Sequence, residues 1–202
     1  MQVTPLTRER LAEEIARTVA ARPGRLRVAV DGAPPTGPEE LAADVARRLP
    51  VLGRPALTVR AGDFLRPASV RLEYGRTDAD ALLDLALDTA ALRREVLDPM
   101  AVSGRVLPRL WDAAADRSFR DAYVVLGEGG VVIVAGGLLL GRGLPFDVTV
   151  HLQMSAAALE RHTTGQERWS LAAYARYERE NSPSTADVLV LADHPARPAM
   201  VR

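Results

Sequence analysis

The chain has 202 residues, 48% of them hydrophobic and 26% charged, with a formal net charge of +0. That length suits one domain with a substantial core, and the charge balance argues against broad nucleic-acid or membrane-surface binding. With 0 cysteines, disulfides, thiolate metal sites and cysteine nucleophiles are excluded, and all 26 basic residues are arginine.

The opening stretch MQVTPLTRERLAEE is polar and amphipathic, unlike a signal peptide, and no apolar run reaches the ~20 residues of a membrane span. A cytoplasmic protein is the expectation. Thr7 is placed to cap a first helix running to about residue 21, with Leu11, Ile15 and Val19 on one stripe, and Pro23-Gly24 ends it. Residues 25–31 read as a strand with a buried VAV centre, residues 38–49 as a helix with Pro38 at its first position, and residues 55–61 as a second strand. Residues 63–76 have no clear period and read as a functional or capping loop. Short helices follow over 78–87 and 89–97; residues 105–111 and 122–126 are a candidate strand pair.

Gly129-Gly130 leads into the apolar run VVIVA, typical of a central parallel strand. Residues 147–152 form another strand, followed by a helix capped by Ser155. Ser170 caps a further helix to about residue 181, where Trp169, Tyr174 and Tyr177 read as packing positions, and residues 187–191 form the last strand. The tail DHPARPAMVR reads as a short extension. Strands alternating with helices predict an α/β fold: a doubly wound, mostly parallel sheet with helices on both faces, forming a single domain over 1–202.

The turn after the first predicted strand carries the chemistry. A P-loop reads G-x-x-x-x-G-K-[ST] between a buried strand and a helix. Here the stretch is Gly32, Ala33, Pro34, Pro35, Thr36, Gly37, Pro38, Glu39, so proline stands in the lysine position and glutamate in the magnesium-ligand position. Gly32 to Gly37 are expected to keep a nest of N–H groups, whereas Pro38 supplies neither N–H nor charge. Glu39 and Glu40 satisfy the helix dipole and repel a polyphosphate.

Taken with this loop, the segments GDFLRPASVRLEYGR, LDTAALRREVLDPM, LWDAAADR, VVIVAGGLLL, VHLQMSAAALERH and ARYERENSPSTADVLV resemble, in order and spacing, the uridine kinase family of P-loop nucleoside kinases. The resemblance covers residues 25–200 and implies that family's doubly wound fold and ATP-to-nucleoside phosphoryl transfer. It puts Gly62 where the family has an aspartate, with Asp63 one place later as an alternative catalytic base on the opposite face of the strand. It puts Ala135-Gly136 where the family often has Glu-Gly, and Trp111-Asp112 in place of a Tyr-Asp pair. The implied substrate pocket is Phe64, Arg66, Arg71, Trp111, Asp112 and Asp116; the implied lid arginines reduce to Arg161 and Arg168, with His162.

From the residues alone, Arg66, Arg71 and Arg76 suit phosphate contacts or surface pairs with Glu73 and Asp78, the pairs being preferred. Glu39, Asp63 and Asp112 read as separate solvated carboxylates ahead of a divalent-metal site, so no metal site is assigned. Trp111, Phe119 and Tyr123 are candidates for a pocket or for the core, and His151 is a hydrogen-bonded strand residue. His151, His162 and His194 lack metal-ligand spacing, and no G-x-S-x-G elbow is present. Three functions stay open: a small-ligand-binding or regulatory protein with a degenerate ATP site, an active Mg-ATP-dependent nucleoside kinase using Asp63 and arginines, and a homodimeric interaction protein. The partners implied are a nucleoside or nucleotide, with neither nucleic acid nor membrane.

Overall fold

A computed structural model describes residues 2–181 and 185–201. A short strand, β1 (Val3–Pro5), precedes helix α1 (Arg8–Ala20). The Thr7 hydroxyl caps α1 by accepting from the Arg10 amide at 3.3 Å, and Leu11, Ile15 and Val19 are buried along one face. Strand β2 (Leu26–Gly32) leads through a 3₁₀ turn (Pro34–Thr36) into α2 (Pro38–Arg48). Pro38 sits at the start of α2, with Glu39 and Glu40 in its first turn and Arg47 and Arg48 in its last, each sign matching the helix dipole.

Strand β3 (Ala56–Arg60) runs into a 3₁₀ turn (Ala61–Phe64), then α3 (Ala68–Arg71), α4 (Ala79–Asp84) and α5 (Thr89–Leu92). A π turn (Arg93–Leu97) joins α5 to α6 (Asp98–Ser103). Asp78 and Asp88 cap α4 and α5, accepting from the Ala81 and Ala91 amides at 2.7 and 2.8 Å. Four two-residue strands follow: β4 (Arg105–Val106), β5 (Trp111–Asp112), β6 (Arg117–Ser118) and β7 (Val124–Val125). Then come β8 (Val131–Gly136), β9 (Val148–Gln153), α7 (Ala156–His162), a 3₁₀ turn (Gly165–Ser170), α8 (Leu171–Glu180), β10 (Val188–Leu191) and β11 (Ala199–Val201).

The main sheet has seven strands in the order β1-β11-β10-β9-β2-β8-β3. The five from β10 to β3 are parallel; β11 pairs antiparallel with both β10 and β1. Strand β8, the VVIVA run, lies between β2 and β3 and is buried along its whole length. Its residues alternate between two cores: Val131, Ile133 and Ala135 pack with α1 and α2 on one face, Val132 and Val134 with Leu92, Val96, Leu97 and Met100 on the other. The expected doubly wound α/β sheet is therefore present.

Several local expectations are corrected. The C-terminal tail is no extension: Ala199–Val201 forms β11, and β1 was not expected at all. Residues 105–106 do pair with 124–125, but Trp111–Asp112 turns back onto Arg117–Ser118 in a separate hairpin. The Ser170 hydroxyl donates to the Glu167 carbonyl at 2.8 Å instead of capping α8. Among the described residues, no helix is long and apolar enough to cross a membrane.

Candidate functional site

In open α/β sheets, ligands bind outside the carboxyl ends of the strands where the strand order reverses. That point is the end of β2, flanked by β8 on one side and β9 on the other. The turn from Gly32 to Pro38 leaves the sheet there, and Gly37 adopts the left-handed conformation (φ 70°) that lets the chain swing into α2.

The turn is filled by itself. The Thr36 hydroxyl donates to the Ala33 carbonyl at 2.7 Å, and the Thr36 and Gly37 amides donate to the Ala33 and Pro34 carbonyls at 2.8 and 3.0 Å. Pro34, Pro35 and Pro38 have no N–H to offer. The expected nest of N–H groups over Gly32 to Gly37 is thus corrected: two of its positions, Pro34 and Pro35, lack the donor and two more spend it inside the turn. A Cβ at Gly32 would lie 2.5 Å from Thr36 Oγ1 and 2.8 Å from Leu152 Cβ, so that glycine makes room for protein atoms. Glu39 is ion-paired to Arg60 at 2.8 Å. Arg8 of α1, which the sequence did not single out, extends towards Gly37 and pairs with Asp44 at 2.9 Å.

Asp63 lies beyond the end of β3, in the 3₁₀ turn, so the alternation of a strand does not set its direction. Burial pushes its carboxyl above the usual range, against the opposing pull of Arg60 and Arg109. Asp112 adds to Asp63's negative surroundings while accepting from the Ala114 and Ala115 amides at 3.0 Å, as a turn residue does. Among the described residues, no group of three or more metal-ligating side chains is arranged to hold an ion.

The other expected substrate residues divide. Phe64 is fully buried in the core. Asp116 accepts from the Ala68 amide at 2.8 Å and from Trp111 Nε1 at 3.1 Å, and Arg71 donates to the Ala113 carbonyl at 2.7 Å. Together these bonds fasten the β5–β6 hairpin to α3. Arg66 is half-buried and Arg76 exposed; Asp78 caps α4, so the preferred surface pairing through Asp78 is not its role. Phe119 and Tyr123 lie outside the buried core: each lies under an arginine, Arg109 at 4.4 Å and Arg105 at 3.4 Å.

The segment expected to form a lid spans α7, the following 3₁₀ turn and α8. Arg168 pairs with Glu160; the Ser155 backbone and side-chain hydrogen bonds lower the Asp193 carboxyl, and the Arg161 charge adds to this. Between the lid and the Pro34-Pro35 turn is a cavity of about 450 Å³. Neither lid arginine lines it, whereas His162 does.

His151 is hydrogen-bonded as expected, but the buried polar network it belongs to, beneath α8, was not foreseen. Asp31, at 0% exposure, accepts from the Leu139 amide at 2.9 Å, from the Tyr177 hydroxyl at 3.0 Å and from His151 Nδ1 at 2.7 Å. His151 Nε2 meets Glu178 at 3.0 Å, and the Tyr177 hydroxyl accepts from the Leu140 amide at 2.7 Å. Burial pulls the His151 imidazole down, but hydrogen bonds to Asp31 and Glu178 outweigh it and lift the pKa to about 9. Asp31 and His151 are register partners on β2 and β9. The signal was available: two polar residues inside apolar strands must find partners. Tyr177 is therefore more than a packing residue, because it ties α8 to the ends of β2 and β8.

This architecture is the α/β fold of P-loop kinases. A protein described as a possible uridine kinase from Bacillus stearothermophilus superposes with a TM-score of 0.71 at 18% identity, over 88% of this chain and 96% of that one. A candidate fructose transport system kinase from Silicibacter sp. TM1040 superposes with a TM-score of 0.66 at 22% identity, over 91% and 98%. No protein-family model matches the chain, and no curated protein matches its sequence. The likeness is one of fold.

Proposed function

We propose that this protein uses a P-loop kinase scaffold to bind a small molecule, in a binding or regulatory role, without transferring phosphate from ATP. The observation that carries this reading is the turn after β2. Its prolines and internally bonded amides leave little for a phosphate to accept from, and Glu39 occupies the magnesium-ligand position. A carboxylate ~4 Å from a phosphate oxygen costs about 4 kcal/mol at an effective dielectric near 20. The helix dipole returns only ~0.3–1 kcal/mol. Arg60 offsets part of the Glu39 charge, but its side chain is 63% exposed and such pairs are weak. The residues present do not fit a magnesium-bound triphosphate. Isothermal titration with Mg-ATP is expected to give no measurable heat, and low-micromolar affinity would overturn the reading.

One observation favours a second reading. Asp63 is half-buried with its carboxyl pushed up, as suits a general base acting on a substrate hydroxyl. In that reading the protein is an active nucleoside kinase. Turnover with ATP or GTP across a nucleoside panel, abolished by Asp63→Asn, would establish it.

A further inference from the structure

The cavity between the turn and the lid is the part of the candidate site with a defined chemistry. Its walls are Pro34 and Pro35 from the turn, Leu82 from α4, Leu159 from α7, Trp169, and Tyr174 from α8. At about 450 Å³ it is within the range of sites that enclose small organic ligands, and its lining is predominantly apolar, as theirs is. We infer that this cleft takes a planar, ring-bearing molecule without negative charge, stacked between the Pro34-Pro35 face and the Trp169–Tyr174 face. The inference rests on the proposed loss of triphosphate binding and names the ligand class that replaces it.

Charge decides against an anion. The ionisable side chains at the mouth, besides Tyr174, are the Glu167 carboxylate and the His162 imidazole. Arg168, next in sequence to Glu167, is turned onto Glu160 and does not line the cleft. Two of the three threonine and serine hydroxyls in the lining are already used, leaving Thr164 at the exposed rim: Thr163 donates to the Leu159 carbonyl at 2.7 Å and Ser170 to the Glu167 carbonyl at 2.8 Å. Burial raises the Tyr174 phenol, and the charges of Asp31 and Glu167 raise it further, which marks a negative field on that wall. An aromatic body gains by stacking on the indole and phenol, and a protonated amine on it would gain again from Glu167 and the ring faces.

The test is ligand-detected NMR titration of the whole chain with three matched probes: 2-phenylethanol, 2-phenylethylamine and phenyl phosphate. The alcohol and the amine are expected to bind saturably in about the millimolar range, as suits fragments of this size. Phenyl phosphate is expected to bind at least about fivefold more weakly than the amine, the scale of one partly screened charge. Leu82→Trp, which fills the cavity, and Thr164→Trp, at its exposed rim, are each expected to weaken the alcohol and the amine together, with folding checked by circular dichroism. Absence of saturable binding, phenyl phosphate binding as tightly as the amine, or probe binding unchanged in both variants overturns the inference. Mg-ATP run alongside separates the two failures: its tight binding defeats the proposed function, whereas silence from ATP and from the phenyl probes alike defeats only the ligand class.

Discussion

Raising the pH should destabilise this protein through His151. The imidazole is 3% exposed, lies between the carboxylates of Asp31 and Glu178, and has a pKa lifted from 6.5 to about 9. Because the folded value is above the unfolded one, the proton is held more tightly by the native state. The stabilisation is complete below pH 6.5, declines between 6.5 and 9, and is gone above that. A displacement of that size corresponds to about 3 kcal/mol, since each unit is worth ~1.4 kcal/mol. For a domain of this length the melting temperature should fall by roughly 6–12 °C across the window. The other groups facing the imidazole do not reverse the sign. Tyr177 is raised by burial and by Asp31, so it stays neutral throughout, and Arg142 stays cationic although burial lowers it. Differential scanning calorimetry at pH 6, 7.5 and 9, on the protein and on His151→Gln, measures the effect. The variant should start less stable and show a flatter dependence. A melting temperature constant from pH 6.5 to 9, or the same fall in His151→Gln, would refute the argument. So would an NMR titration placing the His151 midpoint near 6.5.

Two further changes test the frame that holds the site. Arg54 is 8% exposed and its guanidinium donates to the carbonyls of Gly24 at 2.6 Å, Gly129 at 2.5 Å and Arg22, stapling the start of the sheet. Arg54→Met should cost about 3 kcal/mol in urea unfolding by leaving those acceptors without their charged donor. Gly104 has φ +75°, and a Cβ there would lie 1.9 Å from the Leu126 carbonyl oxygen. Gly104→Ala should therefore cost roughly 2–4 kcal/mol, whereas Gly53→Ala, left-handed but open, should cost about 1 kcal/mol.

The sheet was legible because its signals are local. The VAV and VVIVA runs are buried strands whatever they pair with, and Thr7 and Ser155 mark helix starts by side chains that reach only three residues ahead. The edge was not legible, because AMV and VTP are too short to carry a period and become strands only by pairing with each other and β10. The site divides in the same way. That Pro38 and Glu39 stand where the P-loop pattern has lysine and a hydroxyl is plain in the sequence, and Pro34 and Pro35 could have been counted against the nest. The bonds that close the turn, and the meeting of Asp31 with residues 120 and 146 positions away, depend on tertiary placement. Asp63 shows the cost of reading a face from strand alternation when the strand has already ended.

The turn between β2 and α2 also bears on stability. Residues 34–37 contribute no side chain to either large core cluster. What they and their neighbours do instead is start a helix well: Pro38 is pre-set for the first position, and Glu39 and Glu40 favour the positive end of the dipole. A loop built to hold a phosphate places a lysine there, where only the bound anion compensates it. Rebuilding the motif with Pro38→Lys and Glu39→Thr should therefore destabilise the free protein by about 1–2 kcal/mol, from lost proline rigidity and reversed charge at the helix start. If the exchange restores any phosphate affinity, Mg-ATP should recover part of that loss in the variant and none in the parent, because a ligand stabilises only the state it binds. Urea unfolding of both proteins, with and without Mg-ATP, separates these effects. A double variant as stable as the parent without nucleotide would mean that Pro38 and Glu39 are not there to serve the helix.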